Sequence, residues 1–182
     1  MKKKIYLIVT LSLWLSLTAC GGQAGVPAVS PLTVEQLKNA EYQSEFPASG
    51  KAKLTDGAYE EEIVPGSATK LIIELSDQYA IGDLNGDGTD DAVAILVADP
   101  GGSGTFYHLA AVINQNGTPK HTATEFLGDR VQLKSVSIES GEIAVEMTKH
   151  GPDDPMCCPT LEVTQKYKLE GDTLVQFGSD NP

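Results

Sequence analysis

Residues 129–148 read DRVQLKSVSIESGEIAVEMT, and this stretch decides the fold. Apolar side chains alternate with polar ones on both sides of Ser140-Gly141, at Val131, Leu133, Val136, Ile138, Ile143, Val145 and Met147. Alternation with a period of two predicts strands buried on one face, and the Ser-Gly pair predicts a tight turn. A change of phase at Lys134-Ser135 predicts a β-bulge. The segment therefore predicts an antiparallel hairpin.

The same pattern extends along the chain in both directions. Further strands are predicted at 51–54, 59–64, 69–75, 78–84, 92–98, 106–114, 119–127, 161–169 and 173–177. Asp56-Gly57 predicts a hairpin turn between the first two of these. Thr33 with Gln36 three residues later predicts a capping box that opens a short helix ending near Ala40. Regularly spaced strands joined by Gly-bearing turns predict a mainly β chain, an antiparallel β-sandwich or barrel-like domain with one short N-terminal helix.

The length and the net charge of the chain limit the number of domains and the kinds of partner that can be expected. The chain has 182 residues with 41% apolar residues, enough for one ordinary globular domain. It carries 13 Lys+Arg against 25 Asp+Glu, a formal net charge of −12. Nucleic acid is excluded as an expected partner, because so negative a protein repels phosphate.

The first twenty residues predict where in the cell the protein is located. Lys2, Lys3 and Lys4 precede an apolar run from Ile5 to Leu17, and small residues follow it before Cys20. This order indicates a secretory signal, and the run is too short for a comfortable transmembrane helix. Leu17-Thr18-Ala19-Cys20 resembles the lipobox of bacterial lipoproteins. The resemblance implies cleavage before Cys20 and attachment of diacylglycerol to its sulfur, with acylation of the new amino terminus. The alternative is a soluble exported protein.

Three regions follow from this resemblance: a lipoprotein signal peptide at 1–19, a Gly/Ala/Pro/Ser-rich flexible tether at 20–31, and a single β-rich globular domain at 32–182. Residues 1–19 hold three Lys and no acid, so cleavage leaves 10 positive and 25 negative groups, a net charge of −15. Such a chain would contact the membrane through its acyl chains. The expected location is membrane-anchored and extracytoplasmic, on the outer membrane or on the outer face of the cell membrane.

One loop carries a pattern of oxygen-bearing side chains. Residues 83–91 read DLNGDGTDD, which places Asp83, Asn85 and Asp87 two residues apart and adds Thr89 and Asp91. This spacing in a tight turn brings the oxygens to one centre, and Gly86 and Gly88 permit the positive φ angles of the turn. Calcium prefers carboxylate, amide and carbonyl oxygens. The five oxygen-bearing residues are therefore predicted to bind a structural Ca²⁺. The alternative is a bare turn, which would leave the repulsion among the acids unexplained.

The loop is not an EF-hand, because Ala94 stands where that loop needs a bidentate Glu. Gly-Asp-Leu-Asn-Gly-Asp-Gly followed by a spaced Asp and an apolar strand resembles the calcium loop of FG-GAP/VCBS-type β-repeats. The resemblance implies an ion that staples a β-turn-β unit. It covers about 14 residues and occurs once, so the propeller fold of that family is not implied.

A second unusual segment holds Met156, Cys157 and Cys158 between prolines. An exported chain favours a vicinal disulfide between Cys157 and Cys158. The alternative is a soft metal ion such as Cu(I) held by the thiolates, Met156 and His150. His108 and His121, within predicted strands, are expected to be structural.

Three functions remain open from the sequence, and no catalytic residue is assigned. The first is a lipid-anchored cell-envelope protein with a calcium-stabilised β-domain in a non-catalytic binding or structural role, whose ligand outside the cytoplasm is unknown. The second is an extracytoplasmic hydrolase that uses the acidic calcium loop. The third is a thiol- or copper-handling lipoprotein that uses the Met-Cys-Cys segment.

Overall fold

A computed structural model describes residues 29–180 of the chain. Within them one helix, α1 (Val34–Lys38), precedes eleven strands. The strands are β1 (Glu41–Gln43), β2 (Lys51–Lys53), β3 (Ala58–Glu62), β4 (Lys70–Gly82), β5 (Asp91–Asp99), β6 (Phe106–Gln115), β7 (Thr118–Asp129), β8 (Gln132–Glu139), β9 (Glu142–Lys149), β10 (Leu161–Glu170) and β11 (Thr173–Asp180). Every paired strand runs antiparallel to its neighbour. The predicted mainly β fold with one short N-terminal helix is confirmed.

The strands form three sheets. One has five strands in the order β3-β4-β5-β6-β7, the second has four in the order β11-β10-β9-β8, and the third is the β1-β2 ribbon. The four-stranded sheet covers one face of the five-stranded sheet. At the two margins β8 lies beside β4 and β11 lies beside β7. The two larger sheets therefore curl toward each other as a barrel-like sandwich.

A first core fills the space between the two larger sheets. Its fully buried members include Val93, Ile95, Leu109, Ile143, Val145 and Met147. The predicted 143–147 face is thus the inner face of β9. The register shifts between Leu133 and Ser135, which confirms the bulge predicted from the change of phase.

A second core lies on the opposite face of the five-stranded sheet. There α1 and the β1-β2 ribbon cover Leu96, Ala110 and Val112. Because β5 is covered on both faces, Asp91 to Leu96 are all buried, and their sequence is a continuous apolar run after the aspartate. Cover on the second face depends on a five-residue helix and two three-residue strands.

The capping box at the start of α1 is confirmed. Thr33 Oγ1 accepts a hydrogen bond from the Gln36 backbone N–H at 3.2 Å, and Gln36 Oε1 accepts one from the Thr33 N–H at 2.9 Å. The helix ends at Lys38, with Asn39 as its C-cap, two residues before the predicted end. Buried Tyr42 donates its hydroxyl to the Leu37 carbonyl at 3.0 Å, which fixes the ribbon to the helix.

Three predictions of strand pairing or strand extent are wrong. The strands predicted at 69–75 and 78–84 are one strand, β4, with a bulge between Leu75 and Tyr79. Asp56-Gly57 does turn the chain with positive φ angles of 52° and 91°, but the flanking strands belong to different sheets and only Thr55 and Ala58 form a bridge. The reason is packing, because β2 pairs with β1 to cover the second core. The strand predicted from Asp129 to Ile138 is broken at Arg130, whose φ is 51°.

Candidate metal loop and ligand cleft

Asp83 organises the loop between β4 and β5. Its Oδ1 accepts backbone hydrogen bonds from Asn85 at 3.2 Å and from Gly86 at 2.7 Å, and its Oδ2 accepts one from Gly88 at 2.9 Å. Gly86 and Gly88 have φ angles of 79° and 82°, as the sequence predicted. Both carboxylate oxygens therefore face the inside of a tight turn.

Asn85 and Asp87 close the exposed part of the loop. Asn85 Oδ1 accepts the Asp87 N–H at 2.8 Å, and Asn85 Nδ2 donates to Asp87 Oδ2 at 3.0 Å. Asp87 Oδ1 accepts the Thr89 N–H at 2.7 Å. The side-chain amide of Asn85 and the Thr89 N–H lower the pKa of Asp87, so its carboxylate stays charged.

Asp91 lies at the first position of β5, in the interior of the domain and not in the exposed part of the turn. It is fully buried; its Oδ2 accepts the Leu84 N–H at 3.1 Å, and its Oδ1 accepts the Asn114 N–H at 2.8 Å. Burial raises the pKa of Asp91, and the charges of Asp87 and Asp83 raise it further against two backbone donors that lower it. The side chain thus ties the loop to the end of β6, a structural role that its sequence position did not reveal.

Nearby packing holds the loop on the first core. Leu84 is buried there between the acidic residues of the loop. A Cβ on Gly82 would come within 3.0 Å of Ile138 Cγ2, so β8 approaches the backbone of β4 closely at the base of the loop. The loop is therefore supported from inside the sandwich.

The donor set of the loop suits a hard cation. The ion pairs within residues 29–180 include none of Asp83, Asp87 and Asp91. In that range no three side chains of His, Cys, Asp or Glu lie close enough together to hold a metal ion by themselves. Calcium takes ~6–8 oxygens and accepts amides, carbonyls and water. A bound ion would therefore need the Asn85 amide, the Thr89 carbonyl and water as well as the carboxylates.

The Met-Cys-Cys segment forms a compact loop between β9 and β10. The Sγ atoms of Cys157 and Cys158 are joined as a vicinal disulfide. Asp154 shapes the loop, because its carboxylate accepts backbone N–H groups from Gly151 at 2.8 Å and Thr160 at 2.7 Å. His150 Nε2 is buried and has no hydrogen-bond partner in the structure. With their sulfurs bonded to each other, the cysteines do not offer the two thiolates of the alternative soft-metal site.

The histidines predicted to be structural lie on the second face of the five-stranded sheet. Nδ1 of His121 accepts the Gln43 backbone N–H at 3.1 Å, and its Nε2 lies 2.8 Å from Thr124 Oγ1. Since Nδ1 is an acceptor, the neutral ring carries its proton on Nε2. Burial lowers the pKa of His121 and of His108. His121 thus fastens β1 to β7 while uncharged.

Between the β1-β2 connection and strands β6 and β7 lies a cleft of about 510 Å³. We call it the histidine cleft; its defining residues are Glu45, Ile73, Leu96, His108, His121 and Phe126. No motif in the sequence indicated it, because its walls come from segments as far apart in the chain as Gln43 and Asp172.

No family model, no curated protein and no solved structure matches this chain. The lipoprotein and FG-GAP/VCBS resemblances therefore depend on their short motifs. The signal segment 1–19, Cys20 and the tether as far as residue 28 lie outside the described residues. Across residues 29–180, no helix has the length and apolar character needed to cross a membrane.

Proposed function

We propose that this protein is a lipid-anchored component of the cell envelope whose β-domain is stabilised by one calcium ion and has a non-catalytic binding role. The observation that carries the calcium part is the convergence of Asp83, Asn85 and Asp87 on one turn beside the buried Asp91 carboxylate. The anchor part is supported by the sequence from Lys2 to Cys20.

The argument for a cation is electrostatic. The loop holds Asp83, Asp87, Asp90 and Asp91 within nine residues and contains no Lys, Arg or His. A buried carboxylate without a cationic partner is costly, and neighbouring carboxylates add to the cost. Two backbone donors to Asp91 offset part of it. A divalent cation at the turn would remove the remaining repulsion and stabilise the connection between β4 and β5.

Thermal unfolding tests the calcium proposal. A loop of this kind with Kd of ~10⁻⁴–10⁻³ M would gain ~1.4–2.7 kcal/mol of unfolding free energy in about 10 mM calcium, by mass action. We therefore expect the purified protein to melt several degrees higher in calcium than in EDTA. Asp87→Asn should lower the midpoint measured in calcium and shrink the calcium-dependent shift.

Asp90→Asn is the matched control, because it removes the same charge one position away from Asp91. The Asp90 side chain is exposed, and its backbone carbonyl, which the substitution keeps, accepts the Asn114 side-chain amide at 3.0 Å. The calcium-dependent shift should persist in this variant. Equal midpoints in EDTA and calcium for the unsubstituted protein would reject the calcium proposal.

The anchor is tested separately by Cys20→Ser. This variant should lose the diacylglycerol mass and be recovered as a soluble form or as an unprocessed form that keeps residues 1–19, because the sulfur that carries the lipid is gone. An unchanged intact mass and unchanged detergent partitioning would reject the lipid anchor and leave the calcium proposal standing.

A further inference from the structure

The histidine cleft has the dimensions and the walls of a small-molecule site. Its volume of about 510 Å³ falls within the ~300–1,000 Å³ typical of ligand pockets. Ile73, Leu96 and Ala98 of the five-stranded sheet form its apolar floor, where they are almost fully buried. Gln43 and Ser44 of the ribbon lie across from them.

The rings of His108 and Phe126 line the cleft, and Phe46 and Phe106, which do not line it, pack against them. The His108 ring lies 5.3 Å from the Phe126 ring and 5.7 Å from the Phe46 ring, measured between centroids. Phe46 in turn stacks on Phe106 at 5.5 Å. Phe126 nevertheless leaves 53% of its surface exposed, although its neighbours on both sides hold it in place. Phe126 therefore offers an exposed aromatic ring to a ligand in the cleft.

The charge of the cleft has one sign. Glu45 and Asp172 line it, and among residues 29–180 no Lys or Arg does. Glu45 Oε1 is 4.0 Å from His108 Nε2, and the Glu45 side chain is 79% exposed, so this carboxylate is free to turn toward a ligand. His108 and His121 are uncharged at neutral pH because burial lowers their pKa values. An anion would meet only repulsion here, whereas a cation would meet two carboxylates and the aromatic faces.

We propose that the histidine cleft binds a small organic cation of the alkylammonium class, with the ammonium group over Phe126 and His108 near Glu45 and with its apolar part against Ile73 and Leu96. The proposal rests on the binding role proposed above and names the chemistry of the ligand. Alkylated ammonium groups suit such a site because they lose little hydration when they contact an aromatic face.

Three molecules of one shape test the charge preference: choline, its neutral isostere 3,3-dimethylbutan-1-ol, and the anion 3,3-dimethylbutanoate. Each is titrated into the purified protein at low salt, while the backbone NMR signals of His108, Thr124 and Phe126 are followed. We expect saturable shifts with choline, at least ~5-fold weaker binding of the alcohol, and weaker binding still of the anion. Equal affinity for choline and the alcohol would overturn the proposal and identify a general apolar pocket, and an absence of shifts with choline would overturn it as well.

Two variants test which residues of the cleft produce the preference for choline. Phe126→Leu keeps an apolar side chain but removes the ring, so choline should bind ~2- to 5-fold more weakly while the alcohol is unaffected. Glu45→Gln should also weaken choline, and this loss should fade as salt is added. Phe177→Leu is the control, since Phe177 is an exposed ring of β11 that contacts Lys168 and lies outside the cleft. Equal losses from Phe126→Leu and Phe177→Leu would overturn the assignment.

The titrations are run in EDTA and in calcium. Choline binding without any calcium-dependent melting shift would reject the calcium proposal alone. A calcium-dependent shift without choline binding would reject the ligand assignment alone.

Discussion

The two faces of the five-stranded sheet are covered in different ways. One face is sealed by four strands of eight to ten residues, and its core holds fully buried Ile143, Val145 and Met147. The other face is covered by a five-residue helix and a ribbon of two three-residue strands. The second cover is too small to close its face, so polar His108 and His121 and an open cleft remain there. The difference separates a face that provides stability from one that has room for a ligand.

Truncations of one residue on each face should reveal this difference most strongly. Ile143→Ala creates a cavity in the first core and should lower the unfolding free energy by ~2–5 kcal/mol, with loss across the whole molecule. Leu37→Ala, in the second core, should cost ~2 kcal/mol, the low end of the same range, because the short helix can shift to fill the space.

Hydrogen exchange distinguishes the two truncations. Leu37→Ala should accelerate exchange chiefly over residues 34–54, which open locally, whereas β5, β6 and β9 stay protected. Uniform acceleration across the sandwich in both variants would show that the two covers unfold as one unit.

The contact between His121 and Gln43 should give the next largest effect. His121→Leu removes the acceptor of a backbone N–H at the second face and should cost ~1–3 kcal/mol. His108→Leu is the control, because His108 is also a strand histidine on this face, partly buried, and its replacement leaves the Gln43 bond in place. Denaturant unfolding at pH 8 measures both. Equal costs would mean that burial of the ring, and not the bond to Gln43, stabilises this face.

The lowered pKa of His121 predicts that the folded protein becomes less stable in acid. Because burial lowers the pKa of His121 in the folded chain, the unfolded chain binds protons first as the pH falls below the ordinary value of ~6.5. The unfolding free energy should therefore fall with decreasing pH from there to the lowered pKa. His121→Leu should reduce this slope, and an unchanged slope would assign the acid response to other groups.

The smallest predicted effect lies at the helix cap on the second face. Thr33→Ala removes the acceptor of the Gln36 N–H and should cost ~1 kcal/mol. Thr173→Ala, at an exposed site on β11, should change the unfolding free energy by less than ~0.5 kcal/mol. If Thr33→Ala were as mild as Thr173→Ala, α1 would contribute little to the cover.

What could be predicted from the sequence was local. The alternation at Ile143 and Val145, the capping box at Thr33 and the glycine conformations at Gly86 and Gly88 each depend on residues a few positions apart. The pairing of β2 with β1 could not be predicted, because it depends on the burial of Tyr42 and Ala52 against a distant sheet.

The two candidate sites also differ in whether the sequence could predict them. The acidic loop was visible because its oxygens lie within nine residues. The histidine cleft was not, because His108 and Phe126 become neighbours only through the pairing of β6 with β7, and Glu45 joins them through the fold of the ribbon. An isolated His or Phe in a strand is usually part of a core, so neither residue could be recognised as part of a cleft from the sequence.

The side chain of Asn114 holds Ser30 against the domain. Asn114 Nδ2 donates to the Ser30 carbonyl at 2.8 Å and to the Asp90 carbonyl at 3.0 Å, so Ser30 is held beside the acidic loop. Nine residues lie between Cys20 and Ser30, so the ten steps from one to the other span at most ~35 Å. If Cys20 carries lipid, the acidic loop therefore works close to the headgroup layer. The calcium level that matters to this protein would then be the one at the membrane surface, where anionic lipids compete for the same ions.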